Sequence, residues 1–122
     1  MQEIGDVDAL RERLLNEFPE AGVGLEELDR RKREFFSEHG EELFVGVYDY
    51  ISEIFWWEVF EPALQRGDDD LIERCARFVE VLLGSSSELI REAVDIRVVS
   101  HLERWPVVLG FAGSKLRAKL VP

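Results

Sequence analysis

The sequence predicts an all-α protein of about five to six helices, arranged as a HEAT-like antiparallel helical array or as a bundle. Three observations support this prediction. Apolar residues recur at intervals of three and four along most of the chain, as in amphipathic helices. Glycine, proline or serine interrupts this pattern at short intervals, as at helix ends. No pair of alternating apolar runs joined by a turn dipeptide indicates a β-hairpin.

The first two helices are predicted from caps and helix breakers. One runs from about Asp8 to Phe18, with Asp6 or Asp8 as its cap, and Pro19 ends it. The run PEAGVG that begins there is predicted to be a loop. A second helix begins near Leu25, and Gly40 either ends it or bends the chain into the next helix.

The second helix contains a basic run, Arg30–Arg33. Such a run can bind phosphate, but this one is short and acidic residues surround it. Glu26 and Glu27 precede Arg30 and Arg31 by four residues, the spacing at which ion pairs form on a helix surface. The run is therefore interpreted as part of a solvated helix face.

The stretch from Glu41 to Gln65 is the most aromatic part of the chain and among the most acidic. At roughly 100° per residue, its first half forms an amphipathic helix with a wide apolar stripe. The stripe comprises Leu43, Phe44, Val47, Tyr50, Ile51, Ile54 and Phe55. The opposite face comprises Glu42, Gly46, Asp49 and Glu53.

The helical pattern fails at Trp56, Trp57 and Phe60, which a continued helix would place near the acidic face. In one interpretation the helix bends or ends before Pro62, which disrupts the preceding turn, and the rings face a second core. In the other, the rings form a partly exposed patch beside carboxylates, as at interface hot spots. The pattern leaves both interpretations open and is compatible with at least one exposed ring among the three.

The second half of the chain predicts a helical hairpin. Its first helix spans about Asp69 to Leu83, with capping acids before it and Gly84 after it. Its second helix spans Ser87 to about Glu103, and Ser85 and Glu88 have capping-box spacing. Short helical pieces follow the break at residues 105–106. With 122 residues, the chain is interpreted as a single helical domain.

The net charge of −11 is unevenly distributed. Residues 1–66 hold 17 acidic and 7 basic residues, a net charge of −10, whereas residues 67–122 hold 9 acidic and 8 basic residues, a net charge of −1. Because phosphates would be repelled, nucleic acid is not expected as a partner. A basic protein partner is favoured, since complementary charges steer association. The alternative is that the acidic residues only maintain solubility.

Motifs for catalysis or cofactor binding are absent. The chain lacks HExxH, the Glu-x-x-His of di-iron bundles, GxSxG and a glycine-rich phosphate loop. His39 and His101 stand near predicted helix ends. Cys75 is the single cysteine and is predicted to pack as a small hydrophobe. We therefore expect a protein that is not an enzyme and needs no metal or cofactor.

The compartment is expected to be the cytoplasm. The N-terminal run MQEIGDVD is acidic and has no apolar segment, so it does not predict a signal peptide. No apolar run is long enough for a membrane span, so no membrane association is expected. A single cysteine is consistent with a reducing environment.

Three runs resemble segments of small acidic helical bacterial proteins: FVEVLL (Phe78–Leu83), ELIREAVDIRVVSHLE (Glu88–Glu103) and AGSKLRAKL (Ala112–Leu120). Some of those proteins are proposed immunity proteins of polymorphic toxin systems. The resemblance covers roughly residues 42–120 and concerns the helix pattern. It implies a cytoplasmic bacterial protein that binds and blocks a toxin, and it carries over no site residue.

These observations lead to the hypothesis of an immunity-type inhibitor that neutralises a basic toxin. The predicted binding face comprises Asp49, Glu53, Trp56, Trp57 and Phe60, with Glu38, Glu42 and Glu61 at its rim. Its carboxylates would mimic or mask the substrate phosphates of a nuclease, and its rings would anchor the contact. The alternative is a structural or regulatory helical module that self-associates through the same aromatic face. The partner and the oligomeric state stay open.

Overall fold

The computed structural model describes residues 3–121 and confirms an all-α fold with six helices in that range. The helices are α1 (Val7–Glu17), α2 (Gly22–His39), α3 (residues 47–66), α4 (Asp69–Leu83), α5 (Glu88–Arg97) and α6 (Ser114–Leu120). Three 3₁₀ turns join them at Pro19–Ala21, Val99–Arg104 and Pro106–Gly110. No β-strand occurs in the described range.

The N-terminal prediction is confirmed for α1 and corrected for α2. Asp6 Oδ1 accepts a hydrogen bond from the N–H of Ala9 at 2.8 Å and so caps α1. The predicted loop PEAGVG is instead a 3₁₀ turn that leads directly into α2, which begins at Gly22 and not near Leu25. Pro19 opens this turn because its fixed φ suits the first position of a helix.

Gly24 brings α2 close to α3. A Cβ atom added at Gly24 would lie 3.0 Å from Ile54 Cδ1 and 3.1 Å from Glu58 Cγ. The missing side chain therefore lets the first turns of α2 pack on α3, which explains a glycine inside a helix. The last buried residue of α2 is Leu28, and the second half of the helix extends away from the core.

Gly40 ends α2 in the left-handed conformation, with φ of 68°. Residues 41–46 are not helical, and α3 begins only at Val47. The prediction of a helix from Glu41 onward is therefore wrong over these residues. As a consequence, Leu43 and Phe44 do not belong to the apolar stripe of α3.

Most of α3 is a π-helix, whose turns are wider than those of the α-helix that the sequence predicts. An α-helical turn, Val47–Asp49, leads into a π-helical segment, Tyr50–Phe60, and an α-helical end, Glu61–Arg66. In a π-helix each N–H donates to the carbonyl five residues before it, and the N–H of Glu61 donates to the carbonyl of Trp56 in this way. Pro62 is incompatible with an unbroken α-helical ladder, because it lacks the N–H and its ring presses on the carbonyl four residues earlier.

The core is built around α3. This helix contacts α1, α2, α4 and α5, and buried residues from all six helices form one hydrophobic cluster. Phe18, Phe55 and Phe78 lie within this cluster with ring centroids 5.0 to 5.7 Å apart. These rings connect the end of α1 with α3 and α4, and close aromatic packing of this kind stabilises the fold.

The predicted hairpin of α4 and α5 is present, with one cap reassigned. The side chain of Asp68 caps α4, as expected from the acids that precede it. Ser87, and not Ser85, caps α5, because its Oγ accepts a hydrogen bond from the N–H of Ile90 at 3.3 Å. Ser85 is buried and donates its hydroxyl to the carbonyl of Ile4 at 2.6 Å.

The C-terminal segment folds back on α4. Helix α5 ends at Arg97, short of its predicted end, and 3₁₀ turns follow. The carboxylate of Glu80 on α4 accepts hydrogen bonds from the N–H groups of Lys115 at 2.7 Å and Leu116 at 2.9 Å. A side chain from another helix thus caps α6. Gly113 leaves the space for it, since a Cβ atom there would lie 2.7 Å from Glu80 Cδ.

Candidate functional site

The outer face of α3 presents four of the predicted site residues at intervals of four: Asp49, Glu53, Trp57 and Glu61. Each turn of a π-helix contains more residues than an α-helical turn, so residues about four to five apart share a face. The Trp57 side chain is 54% exposed, and the three carboxylates are partly exposed. The structure therefore keeps half of the predicted site together on one surface.

Trp56 and Phe60 do not belong to that surface, which corrects the prediction for both rings. Their side chains are 2% and 0% exposed. The Trp56 ring stacks on the ring of His101, with centroids 5.1 Å apart and an interplanar angle of 16°. It also packs edge-on against the ring of Phe60, with centroids 5.6 Å apart. The wider register turns both rings inward without ending the helix, so the core interpretation holds for these two.

The buried position of Trp56 leaves one polar atom without a partner. Its indole Nε1 is buried and makes no hydrogen bond to any residue in the range 3–121. Leaving such a donor unsatisfied costs about 1 to 3 kcal/mol. The ring is therefore retained in the core for its apolar contacts and its stacking on His101.

The carboxylates of the α3 face already have partners within the chain. Asp49 Oδ2 accepts a hydrogen bond from the N–H of Gly46 at 2.8 Å, which helps to cap the start of α3. Glu53 forms an ion pair of 2.7 Å with Arg31, and this hydrogen bond raises the pKa of the Arg31 guanidinium. Glu61 accepts a weaker hydrogen bond of 3.2 Å from Gln65. The face is less negative than its sequence alone indicates, because Arg31 neutralises one of its charges.

Glu38 and Glu42 lie on a different part of the molecule. We call residues 30–46 the arm; it comprises the second half of α2 and the segment that returns to α3. Glu38 is on the last helical turn, with its carboxylate 3.8 Å from His39 Nε2. Glu42 lines a groove whose other lining residues all belong to the arm. These two acids therefore do not form the rim of the α3 face.

The groove of the arm has a volume of about 600 Å³. It is lined by Lys32, Arg33, Phe36, Glu42, Leu43, Phe44 and Val45. Phe44 is 87% exposed and Phe36 is 56% exposed. The sequence pattern placed Phe44 on the apolar stripe of the next helix, so this surface was not predicted. The glycine in the run His39-Gly40-Glu41 predicts a helix end between the two rings. This signal could have revealed the exposed surface.

Other chemically reactive side chains are engaged in packing. Burial raises the pKa of the Cys75 thiol above its usual range, which disfavours the reactive thiolate. The ring of His39 lies against Phe35, with centroids 4.5 Å apart. No group of three or more His, Cys, Asp or Glu side chains is placed to hold a metal ion in the part of the chain that the structure describes. Within the same part, none of the helices has the length and apolar character needed to cross a membrane.

Comparison with known proteins identifies the family. Residues 11–120 match the family described as Domain of unknown function (DUF7674), so the match covers most of the chain and the chain belongs to that family. The matched range includes both the α3 face and the arm. No curated protein and no solved structure matches the chain.

Proposed function

We propose that this member of the DUF7674 family is a non-enzymatic protein-binding module, and that it binds a basic protein through the outer face of α3. The observation that carries the proposal is the exposed indole of Trp57 among carboxylates. Glu53, Glu58 and Glu61 flank it in sequence, and α3 contains no Lys or Arg before Arg66. An aromatic side chain surrounded by acidic residues is suited to a partner with an apolar pocket and a basic rim.

Trp57 acts as the anchor in this proposal. Half of its surface is available, and tryptophan is among the residues most enriched at interface hot spots. The nearby carboxylates contribute mainly to the rate and the specificity of association, because exposed charges steer encounter more than they strengthen a complex. Arg31 already satisfies Glu53, so Glu58 and Glu61 are the acids more readily available to a partner.

We further propose that the basic partner is a toxin domain and that binding holds it inactive. The support is the resemblance of roughly residues 42–120 to small helical bacterial proteins, some of them proposed immunity proteins, together with the net charge of −11. If the toxin is a nuclease, its active site must be basic to bind phosphates. The carboxylates around Trp57 would then occupy positions that substrate phosphates use.

The test compares two variants of equal net charge. In Glu58→Lys/Glu61→Lys the α3 face is reversed; in Glu73→Lys/Glu103→Lys two other exposed acids are reversed. Each protein, with the wild type and Trp57→Ala, is used to capture partners from the source cell. Captured proteins are identified by mass spectrometry and purified for titration. We expect a basic protein to bind the wild type and the control, and to bind Trp57→Ala about 30-fold more weakly or worse.

Two outcomes would contradict the proposal. One is the capture of no basic protein, and the other is equal binding by the face-reversed variant and the control. The inhibitor function has its own readout. Expression of the captured partner alone should arrest growth, and co-expression of the wild type, but not of Trp57→Ala, should restore it.

A further inference from the structure

The arm displays an apolar stripe that the body of the protein leaves uncovered. On α2, Leu25 and Leu28 are buried against the core, and Phe35 and Phe36 continue the same stripe at helical spacing. Phe36 is nevertheless more than half exposed, and Phe35 is only half-buried. A helix face of this kind normally packs against another element. In the described residues the second half of the stripe has no such element.

The chain that returns from α2 enlarges this apolar surface. Phe44 is almost fully exposed beside Phe36 at the groove, and Leu43 and Val45 line the groove with them. Contiguous exposed apolar side chains on a soluble protein usually mark a contact surface. The arm therefore has both a groove and exposed aromatic rings, which are the two components of an apolar contact between molecules.

The charges of the arm are self-complementary, because its basic and acidic residues occupy different parts of it. Its first four residues, Arg30–Arg33, are all basic, and the acidic Glu38, Glu41 and Glu42 lie at its other end, where α2 stops at Gly40 and the chain turns back. With Glu34, the arm holds four basic and four acidic residues and is neutral, whereas the whole chain carries a net charge of −11. Lys32 and Arg33 are exposed and form no ion pair within residues 3–121. The arm is thus a surface on which two copies of this acidic protein can meet without repulsion.

We propose that the arm is a homodimer contact in which two copies pair antiparallel about a twofold axis. In this arrangement Lys32 and Arg33 of one copy face the acidic end of the other, and the reverse contact follows from symmetry. Phe36 and Phe44, which line the groove of each copy, pack against the groove of the second copy. A short arm makes a small interface, so the dimer is reversible and depends on protein concentration. The proposal is independent of the α3 face.

The aromatic contact is tested by sedimentation velocity over a range from micromolar to millimolar protein. The wild type should shift from monomer to dimer in this range. Phe36→Ser/Phe44→Ser should raise the dissociation constant about 100-fold or more, since both rings are lost from both copies. Val23→Ser is the matched control, because Val23 is 79% exposed on the part of α2 outside the arm. It should dimerise as the wild type does.

The antiparallel order is tested by exchanging charges. Lys32→Glu/Arg33→Glu makes positions 32, 33, 38 and 42 all acidic, and Glu38→Lys/Glu42→Lys makes the same four positions all basic. Each variant alone should be monomeric, because like charges would face each other. An equimolar mixture of the two should form a heterodimer, in which every facing pair is opposite in sign. Circular dichroism should be unchanged in both, since the four side chains are exposed.

The proposal is overturned if the wild type is monomeric up to millimolar concentration, or if the mixture does not associate more strongly than its components. A partner protein whose binding is lost in Phe36→Ser/Phe44→Ser, while the wild type stays monomeric, would assign the arm to that partner and likewise overturn the homodimer. Glu58→Lys/Glu61→Lys should dimerise normally. This variant separates failure of the arm contact from failure of the proposed α3 interface.

Discussion

Helix α3 and the arm are neighbours in the chain, and both contain aromatic side chains, but their surroundings differ. Four other helices contact α3, and the ring of His101 from a 3₁₀ turn covers Trp56, so that Trp56 and Phe60 are buried. The arm extends beyond these helices, and it leaves Phe36 and Phe44 in solvent. The difference shows that an aromatic side chain is buried only where another element covers its face of the helix, and Trp57, on an uncovered face of α3, is exposed.

The acidic side chains of α3 and those at the end of the arm also differ in whether they have partners within the chain. The acids of α3 are used by the chain, as in the cap formed by Asp49 and the ion pair between Glu53 and Arg31. At the acidic end of the arm, Glu41 and Glu42 form no ion pair with any described residue, and Glu38 approaches only His39. Asp49 and Glu53 therefore support the fold, whereas the acids at this end of the arm are available for contacts with another molecule.

The largest expected difference in stability between the two regions comes from truncating one phenylalanine in each. Phe60→Ala should lower the free energy of unfolding by about 3 to 5 kcal/mol, because it removes a fully buried ring from the core. Phe44→Ala should change it by less than about 0.5 kcal/mol, because the ring is exposed. Chemical denaturation at a protein concentration that keeps the chain monomeric measures both. Similar losses for the two variants would show that the arm packs on the body.

A glycine pair tests the contrast within α2 itself. Gly24→Ala should lower the free energy of unfolding by about 1 to 3 kcal/mol, because the added methyl group would lie only 3.0 Å from Ile54 and 3.1 Å from Glu58 and both side chains would have to shift within a packed interface. Gly22→Ala is the control, since a Cβ atom there meets nothing within 4 Å. It should be neutral or stabilising by about 0.4 to 1 kcal/mol through the unfolded state. Thermal unfolding of both variants measures these changes in stability. Equal stability of the two variants would argue against a close approach of α2 and α3.

The smallest effect concerns the link between the two regions. Arg31→Ala removes the ion pair with Glu53 and should cost about 0.2 to 1 kcal/mol, because both side chains are largely exposed. The loss should decrease as salt is added, since salt screens the pair in the wild type. Arg33→Ala, which removes no ion pair, is the control for helix propensity. Denaturation curves at low and high salt measure the difference, and a loss independent of salt would contradict an electrostatic origin.

Much of the fold follows from local pattern. The cap of α1 was limited to Asp6 or Asp8, the cap of α4 to the acids before it, and the end of α4 was placed at Gly84, because these residues act within one turn of the backbone. The glycines of the run PEAGVG misled the prediction, because the reason for Gly24 lies in α3. The cap of α6 by Glu80 could not be predicted either, since the two are more than thirty residues apart in sequence.

The candidate site was predicted only in part, and the cause was geometric. Assuming an α-helical period placed Trp56, Trp57 and Phe60 together, but the π-helical register separates Trp57 from the other two. Starting the helix near Glu41 placed Phe44 on a buried stripe, but the helix begins at Val47. An error in register or in starting residue moves a side chain to another face, while the helical content of the prediction hardly changes.

Helical periodicity, caps and composition were enough to establish an all-α chain with an uneven negative charge, because these properties depend on neighbouring residues and on residue counts alone. The tertiary structure decided which face of each helix is covered, which carboxylates have partners, and which aromatic rings remain in solvent. These outcomes depend on contacts between residues far apart in sequence. For this reason Trp57, Phe36 and Phe44, and not the whole aromatic stretch, are the aromatic residues that are more than half exposed.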